Sequence, residues 1–363
     1  MRGRIMVAAA AVLVLVGGCS IGDIRRPPPK PTTTTAALAP PQPQLEVRHP
    51  EVPVPPSFHL QNVEFVDQAL GYALFSRCGS GSAAPGPAET CAAAVVRTED
   101  GGRSWHQIFQ PQPDGKGYQI YADRARLVLY VEPDGYYVSR DRGVTYDRSP
   151  KINDAVRATT GGEYQVCCDG EKTARVVRFG ADGTGRPTRA QPEIPGLRVA
   201  GSALHWVFAV GLDQGGPIAS VSNDQGGTWR QVPVAGASGQ VQAAHLAVDH
   251  GGTFAWLVGQ TDLISWPALW FFDGMGWRPV GATGHPDRFT SAVVLEDASL
   301  AVTTPDGPGL VSGGVFQSVD WPVDDCTLRL LADGSLFCTA GAVSWLGVGS
   351  ANRKWIRVLV GNE

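Results

Sequence analysis

Four of the seven cysteines in this 363-residue chain stand at spacings that suit disulfide chemistry. Cys78 and Cys91 flank a segment rich in glycine, serine, alanine and proline, while Cys326 and Cys338 flank an Asp-Gly turn signal. Both separations are typical of cysteines that face each other across neighbouring strands. We therefore predict two disulfides, Cys78–Cys91 and Cys326–Cys338, each of which contributes roughly 2–4 kcal/mol of stability.

The adjacent cysteines Cys167 and Cys168 leave two possibilities open. By elimination they either form a strained vicinal disulfide or remain thiols. The sequence has no Cys-x-x-Cys motif and no histidine close to this pair, so a redox or metal role is not supported. His245 and His250 bracket an acid, but on a strand their side chains would point to opposite faces. We accordingly predict no metal site and no cofactor.

The first 19 residues carry a targeting signal. Arg2 and Arg4 precede an apolar run, residues 7–16, which is too short to span a bilayer as a helix. Two glycines and Cys19 follow, and this ending resembles a bacterial lipobox. The resemblance implies cleavage of a signal peptide, residues 1–18, and attachment of a diacylglyceryl group to the Cys19 thiol. We therefore expect a lipid-anchored protein on the extracytoplasmic side of a bacterial cell membrane.

Residues 19–56 form a predicted linker between that anchor and a folded domain. Eleven of the 37 residues from 20 to 56 are proline, and a run of four threonines lies among them. Because proline fixes φ and cannot donate to a sheet, we expect the segment to stay extended. The remaining residues, 57–363, are ample for a large folded domain.

Composition excludes several classes of partner and chemistry. The formal net charge is −4, and loss of Arg2 and Arg4 with the signal peptide makes it −6. No basic patch is visible, so nucleic acid is not an expected partner. Short alternating apolar runs between glycine- and proline-rich turns predict an all-β domain. No G-x-S-x-G or H-E-x-x-H motif marks hydrolytic chemistry.

An eight-residue phrase recurs along the predicted domain. Its pattern is Ser/Thr-x-Asp-x-Gly-x-Ser/Thr-aromatic, and its copies begin at residues 98, 139 and 222. The second copy begins 41 residues after the first, and the third begins 83 residues after the second, which is about two repeat lengths. A repeat length of about 41 residues indicates a repeat fold. The defining residues are Asp100, Gly102 and Trp105, then Asp141, Gly143 and Tyr146, then Asp224, Gly226 and Trp229.

Each residue type in this phrase has a structural task. Glycine permits positive φ in a tight turn, and the aspartate can accept hydrogen bonds from turn amides. The hydroxyl groups can tie the strand ends together, and the aromatic ring can fill the gap between neighbouring sheets. We therefore expect the phrase to build hairpins rather than to contact a ligand.

Alignment of the chain on the turn aspartate gives seven units. Degraded copies surround Asp182 and Asp273, and Trp321 and Trp355 are the aromatic positions of a sixth and a seventh copy. Division of residues 57–363 by seven gives about 44 residues per unit, the length of a four-stranded blade. The predicted fold is an all-β propeller of seven four-stranded blades, with six or eight blades as alternatives. The alternating residues 355–360 should pair near the N-terminus and close the ring.

The phrase resembles the Asp-box, the hairpin signature of sialidase-like β-propellers. The strand–turn pattern also resembles the photosystem assembly and stability factors that share this fold, over most of residues 57–363. Sialidases of this fold clamp a substrate carboxylate with three arginines, one of them in an Arg-Ile-Pro motif. This chain lacks that motif, and its Ile194-Pro195 pair follows Glu193. We assign no catalytic residue, and a divergent sialidase-like glycoside hydrolase is the alternative function.

Six large aromatic residues fall between positions 256 and 277. Aromatic faces suit sugar rings or protein contacts, although packing between blades is the favoured interpretation of these residues. Trp266 and Trp270 are the candidate binding residues, and residues 260–265 are predicted to form a longer loop of the kind that carries specificity. The predicted function is a non-enzymatic, monomeric binding or scaffold module for an unknown protein or glycan.

We predict that Cys19→Ala will release the protein from the membrane fraction or leave its signal peptide uncleaved. One acyl chain binds a membrane only marginally, so the two chains of a diacylglyceryl group would supply the retention. Cell fractionation and mass spectrometry of the mature N-terminus provide the measurement, with Ser20→Ala as the control. Unchanged retention of the Cys19→Ala protein would show that this thiol is not the attachment point.

Overall fold

Nearly all regular structure in the folded domain is β-strand. The described residues contain 29 strands and one short helix, and the strands form seven sheets. The prediction of a seven-bladed β-propeller is therefore confirmed. None of the described residues belongs to a helix long and apolar enough to cross a membrane. The computed structural model describes residues 45–78, 90–149, 154–168, 174–236, 241–323, 325–350 and 353–361.

The first strand, β1 (Leu45–Arg48), belongs to the last blade, and the first four blades follow it along the chain. Blade 1 consists of β2 (His59–Phe65), β3 (Gly71–Cys78), β4 (Cys91–Thr98), β5 (His106–Gln107) and β6 (Asp114–Gly115). Blade 2 consists of β7 (Gly117–Ala122), β8 (Leu127–Glu132), β9 (Gly135–Ser139) and β10 (Asp147–Ser149). The helix α1 (Asp154–Gly161) comes next, before β11 (Tyr164–Cys168), β12 (Ala174–Phe179) and β13 (Gly185–Pro187) of blade 3. Blade 4 consists of β14 (Leu197–Ala203), β15 (Trp206–Asp213), β16 (Gly216–Ser222) and β17 (Arg230–Val232).

The last three blades complete the ring. Blade 5 consists of β18 (Ala243–Val248), β19 (Ala255–Gln260), β20 (Ala268–Phe272) and β21 (Trp277–Val280). Blade 6 consists of β22 (Ser291–Val294), β23 (Leu300–Thr303), β24 (Gly309–Ser312) and β25 (Val315–Ser318). Blade 7 consists of β26 (Arg329–Leu330), β27 (Leu336–Ala340), β28 (Val343–Val348), β29 (Lys354–Leu359) and β1.

The first strands of the blades line the propeller axis. Contacts join β2 to β7, β14 to β18, β18 to β22 and β22 to β26. Because strands alternate in direction, the turns between third and fourth strands all lie at one end of the ring, which we call the turn end. The loops between second and third strands lie at the opposite end, which we call the loop end. All three copies of the repeated phrase are at the turn end.

The ring is closed by a strand whose residues we predicted from the sequence to be part of the linker. β1 pairs in parallel with β29, with Leu45 opposite Trp355 and Arg48 opposite Val358. Val52, a few residues later, is buried in the core between blades 7 and 1. The predicted linker boundary at residue 56 is therefore wrong, since residues 45–56 belong to the propeller. Residues 45–48 are free of proline and alternate in polarity, so they can add a strand. The expected pairing of the C-terminal strand is confirmed.

Arg48 links the closing strand to the first repeated turn. Its side chain is 7% exposed, and its guanidinium donates to the carbonyl oxygens of Asp100 and Gly101 in blade 1. Its Nε also donates to Glu46 at 2.7 Å, and Lys354 Nζ lies 2.6 Å from the second Glu46 oxygen. The hydrogen bonds from Arg48 and Lys354 lower the pKa of Glu46 to about 2. The rim of blade 7 is thus joined to blade 1 by charged hydrogen bonds.

Blade 3 departs from the four-stranded plan within the described residues. The degraded copy of the repeated phrase around Asp182 joins β12 to β13. Because the phrase joins the third strand to the fourth in other blades, β12 and β13 are a third and a fourth strand. β11 is then a second strand, and α1 holds the chain position of a first strand. Gln165 Nε2 donates to the carbonyl oxygens of Arg157 and Gly162, which ties the end of α1 to β11. The helix therefore stands where the other blades have their axial strand.

The three repeated turns share one hydrogen-bond pattern. Asp100 Oδ1 accepts from the amides of Arg103 and Ser104 at 2.9 Å, and its Oδ2 accepts from Ser104 Oγ at 2.6 Å. Thr98 Oγ1 donates to Asp100 and accepts from the Gly102 amide. The turn around Asp141 repeats these bonds. The turn around Asp224 repeats them except that the Gly227 amide donates to the backbone carbonyl of Asp224. The aspartate therefore replaces the backbone partners that a tight turn leaves unpaired.

The turn glycine also sets the distance between neighbouring blades. Gly102 has a φ of 85°, and a Cβ there would lie 2.7 Å from Val358 in blade 7. The glycines of the other two copies pack in the same way against the blade that precedes them. Trp105 is buried in the core shared by blades 1 and 7, edge-on to Phe65 with ring centroids 6.1 Å apart. The sixth copy was misplaced by sequence, because Trp321 follows β25 and lies outside the β24–β25 turn.

Both predicted disulfides are confirmed. Cys78 and Cys91 face each other across β3 and β4 and are bonded, as are Cys326 and Cys338. Cys167 is half-buried and its thiol is free, so the vicinal disulfide alternative with Cys168 is wrong. Both residues belong to β11. The side chain of Cys168 lies outside the described part of the structure.

We predict that Arg48→Ala will lower the free energy of unfolding by about 2–4 kcal/mol, because it leaves buried carbonyl groups without their charged donor. Urea denaturation followed by tryptophan fluorescence measures the change. Arg103→Ala is the matched control, since that side chain is mostly exposed and its ion pair with Glu46 should contribute little. If Arg48→Ala and Arg103→Ala lower the free energy of unfolding equally, the buried bonds of Arg48 do not stabilise the junction between blades 7 and 1.

We predict that stability falls as the pH drops from about 4 to about 2. Desolvation raises the pKa of Asp100, but hydrogen bonds from Ser104, Thr98 and Arg103 outweigh it and set the pKa at about 2, below the ordinary 3.8. A carboxyl group whose pKa is lower in the folded state than in the unfolded state stabilises the fold at pH values above its unfolded-state pKa. This contribution is lost as the pH falls through the folded-state pKa. Asp100→Asn should therefore be more destabilising at pH 7 than at pH 2, measured by urea denaturation. Asp147→Asn, at an exposed carboxylate, is the control, and an Asp100→Asn effect independent of pH would contradict the prediction.

Candidate functional site

The aromatic residues expected at a binding surface mostly form core. Trp270 is 2% exposed in the core between blades 4 and 5, and its Nε1 donates to the Ala235 carbonyl at 2.9 Å. A contact role for Trp270 is therefore wrong, because the alternation along β20 turns its indole into the gap between sheets. Trp266 is half-buried and stacks on His285, with ring centroids 4.5 Å apart. Only Trp266 of the two candidates retains an accessible face.

The exposed apolar residues of this region are Leu263 and Ile264, which sequence reasoning missed. Leu263 is 87% exposed and Ile264 is 57% exposed, at the tip of the predicted specificity loop. The loop joins β19 to β20 and therefore lies at the loop end of blade 5. One signal in the sequence could have identified them. Leu263 and Ile264 lie between two turn-forming residues, Asp262 and Ser265, and apolar side chains in such a short turn have no core to pack into.

Hydrogen bonds hold this loop in one shape. Asp262 Oδ1 accepts from the amides of Ile264 and Ser265 at 2.8 and 2.6 Å, and its Oδ2 accepts from Ser265 Oγ at 2.6 Å. The hydrogen bond from the Ser265 side chain, followed by those amides, lowers the pKa of Asp262. The turn is therefore organised around an ionised carboxylate at neutral pH.

Backbone bonds also fasten the loop to the segment that enters blade 6. The Phe289 amide donates to the Ile264 carbonyl at 2.8 Å, and the Trp266 amide donates to the Asp287 carbonyl at 2.9 Å. Ser265 forms a β-bridge with Arg288. The tip with Leu263 and Ile264 is thus carried by a rigid base that spans two blades.

A cleft lies beside this loop, between the axial strands of blades 5, 6 and 7. Its volume is about 410 Å³. His245 and Gln260 stand on its lining and are joined by a hydrogen bond of 3.0 Å between Nε2 and Oε1. Gln260 and Phe289 connect the lining directly to the loop. The leucine and valine side chains of the lining are Leu246, Val248, Val258, Val293, Val294, Leu328 and Leu330.

A second cavity continues the cleft toward the turn end. It has a volume of about 310 Å³ and shares Val248 and Leu330 with the first. Its lining also includes Asp123, His250 and, from α1, Thr159. The two cavities follow the axis, since the residues they share lie on the axial strands β18 and β26. A molecule that fills both cavities would therefore contact blades 5, 6 and 7 in the first cavity and blades 1, 2, 5 and 7 in the second.

The axial strands of blades 7, 1 and 2 are joined by polar side chains. Arg329 of β26 forms an ion pair with Glu64 of β2. Asn62 Nδ2, also on β2, lies 3.4 Å from the Ile120 carbonyl of β7. Tyr121 lies farther along β7, and burial raises the pKa of its hydroxyl. The axis therefore has an aliphatic side and a polar side.

No protein-family model matches this chain, and no curated protein matches it. Among solved structures it is similar to YCF48 bound to D1 peptide, with a TM-score of 0.33, 14% identity and coverage of 84% of this chain and 82% of that chain. It is similar to TolB from Acinetobacter baumannii, with a TM-score of 0.39, 11% identity and coverage of 79% and 78%. It is also similar to YCF48 from Cyanidioschyzon merolae, with a TM-score of 0.32, 11% identity and coverage of 84% and 97%. These similarities concern the propeller fold alone.

We predict a large loss of stability at a core position of blade 5 and almost no change at a surface position of the same blade. Trp270→Ala should lower the free energy of unfolding by about 3–5 kcal/mol, because it opens a cavity between blades. Leu263→Ser should change it by less than about 0.5 kcal/mol, because the side chain is already in water. Urea denaturation measures both. A large loss for Leu263→Ser would mean that the loop tip is packed and not free to bind.

Proposed function

We propose that this protein is an extracytoplasmic, lipid-anchored β-propeller that binds a protein or glycan partner without catalysing a reaction. The observation that carries the proposal is the axial cleft, an aliphatic concavity on the first strands of blades 5, 6 and 7. A largely apolar cleft with a few polar groups at its rim is the usual form of a binding site. The rigid loop with Leu263 and Ile264 stands next to it.

The charge of the cleft supports binding over the alternative, a sialidase-like glycoside hydrolase. That chemistry requires three arginines that converge on a substrate carboxylate. Among the described residues that line the two axial cavities, Arg329 is the one arginine, and Glu64 already neutralises it. An aliphatic wall also provides no second carboxylate beside a scissile bond. The geometry thus favours recognition of a partner surface.

The chain enters the propeller at the end opposite the cleft mouth. β1 runs parallel to β29, which starts at the turn end, so Leu45 enters the propeller at the turn end of blade 7. The cleft mouth and the β19–β20 loop are at the loop end. The lipid on Cys19 and the proline-rich segment that follows it remain part of the proposal, supported by the sequence pattern alone.

We predict that Thr327→Trp will abolish recovery of the partner and leave the thermal midpoint unchanged within about 2 °C. Thr327 is exposed on the cleft lining, so an indole there would narrow the mouth without entering the core. The measurement is quantitative mass spectrometry of proteins and glycans that cross-link to the protein in native membranes. Ser318→Trp, at an exposed position on the rim strand of blade 6, is the control. Equal recovery with both variants would contradict a role for the cleft.

A companion assay tests the alternative directly. The purified protein is incubated with a fluorogenic sialoside, and release of the fluorophore is followed over time. We expect no turnover above a heat-denatured sample. Turnover that is lost in the Thr327→Trp protein would overturn the non-enzymatic proposal and assign hydrolysis to the same cleft.

A further inference from the structure

The lining of the cleft favours side chains of a polypeptide over sugar rings. Glycan sites combine exposed aromatic faces with hydrogen-bonding groups that match the hydroxyls of the sugar. Here the lining is dominated by leucine and valine, and the tryptophans of blade 5 at positions 256, 270 and 277 are buried. Trp266, which is half-buried, stacks one face on His285. The hydroxyl of Ser291, the serine of the lining, is hydrogen-bonded to the Thr303 hydroxyl and accepts a hydrogen bond from the Leu328 amide. Aliphatic or aromatic side chains are the groups that this wall accepts without leaving polar atoms unpaired.

The tip of the β19–β20 loop extends the apolar surface beyond the mouth. Leu263 and Ile264 are exposed, whereas their backbone is fixed by the Asp262 turn and by the bond to Phe289. Apolar side chains on a rigid loop bind with little loss of conformational entropy. Together with the cleft they provide an apolar anchor point beside a pocket, the arrangement typical of interaction hot spots.

Aspartates lie on the segments that adjoin this apolar surface. The three segments that form the mouth, residues 260–266, 285–290 and 325–328, carry three aspartates and one arginine. Asp325 accepts a hydrogen bond from Thr290 of the cleft lining, and Asp287 is exposed next to the loop base. The net negative charge favours a partner with positive charge near its apolar residues.

We infer that the mouth and cleft bind an extended polypeptide segment whose apolar side chains are flanked by lysine or arginine. The inference rests on the proposed binding function and specifies its ligand. The apolar side chains enter the cleft and pack on Leu263 and Ile264, and the cations lie against Asp287 and Asp325. The second cavity lets the segment continue along the axis.

Binding is measured by fluorescence anisotropy with the full-length lipidated protein in neutral phosphatidylcholine nanodiscs, with the signal of empty nanodiscs subtracted. The probe is a labelled twelve-residue peptide in which leucine alternates with lysine. Two matched peptides replace lysine by glutamate or leucine by serine, and a labelled chito-oligosaccharide represents glycans. We expect the leucine–lysine peptide to bind at least tenfold more tightly than any other probe.

Two double variants separate the apolar and the charged contributions. Leu263→Ser with Ile264→Ser should weaken binding of the leucine–lysine peptide at least tenfold at every salt concentration. Asp287→Asn with Asp325→Asn should weaken it at low salt and reduce its salt dependence, because raising salt from about 0.1 M to about 1 M shortens the screening length from about 10 Å to about 3 Å. The controls are Met275→Ser, an exposed apolar residue at the turn end of the same blade, and Glu193→Gln, an exposed carboxylate outside the mouth.

The outcomes distinguish this inference from the broader proposal. Equal binding of the lysine and glutamate peptides, equal effects of the mouth and control variants, or absence of peptide binding each overturns the inference. Tight binding of the oligosaccharide without peptide binding also overturns it and leaves the non-enzymatic binding function in place. Turnover of the fluorogenic sialoside overturns the broader proposal itself.

Discussion

Closure of the ring is the constraint on which the rest of the structure depends. Each blade buries its faces against two neighbours, so a break in the ring would expose apolar faces on both sides of the gap. Blade 7 is built from both halves of the chain, because β1 adds to β29, and Arg48 joins its rim to the first turn of blade 1. β26 of the same blade lines the cleft. The shape of the binding site therefore depends on a pairing between residues that are some 300 positions apart.

Structural and binding tasks are separated along the blades. The repeated phrase occupies the turn end, where its aspartates satisfy turn amides and its glycines let neighbouring sheets approach. The cleft mouth and the β19–β20 loop occupy the other end and contain no copy of the phrase. Repetition serves contacts that recur between several pairs of neighbouring blades, whereas a binding site needs residues that occur once. This explains why the strongest sequence signal says least about the ligand.

Asymmetry around the axis provides the basis for recognition. Polar links such as Glu64–Arg329 occupy the side of blades 7, 1 and 2, while aliphatic side chains occupy the side of blades 5, 6 and 7. The helix α1 interrupts the sequence of axial strands at blade 3 and reaches the second cavity through Thr159. Such differences between blades allow a symmetric scaffold to present one oriented surface.

The sequence by itself determined the repeat and the two disulfides and favoured seven blades over six or eight, because local turn chemistry and strand alternation act over few residues. It also indicated the loop at 260–265, but it misassigned Trp270, whose burial depends on the blade that packs against β20. Only the tertiary structure showed that Leu45–Arg48 belongs to blade 7, that α1 stands at the place of a strand, and that Leu263 and Ile264 flank a cleft. Each of these follows from contacts between distant segments, and no local pattern of residues encodes which face of a strand will be covered.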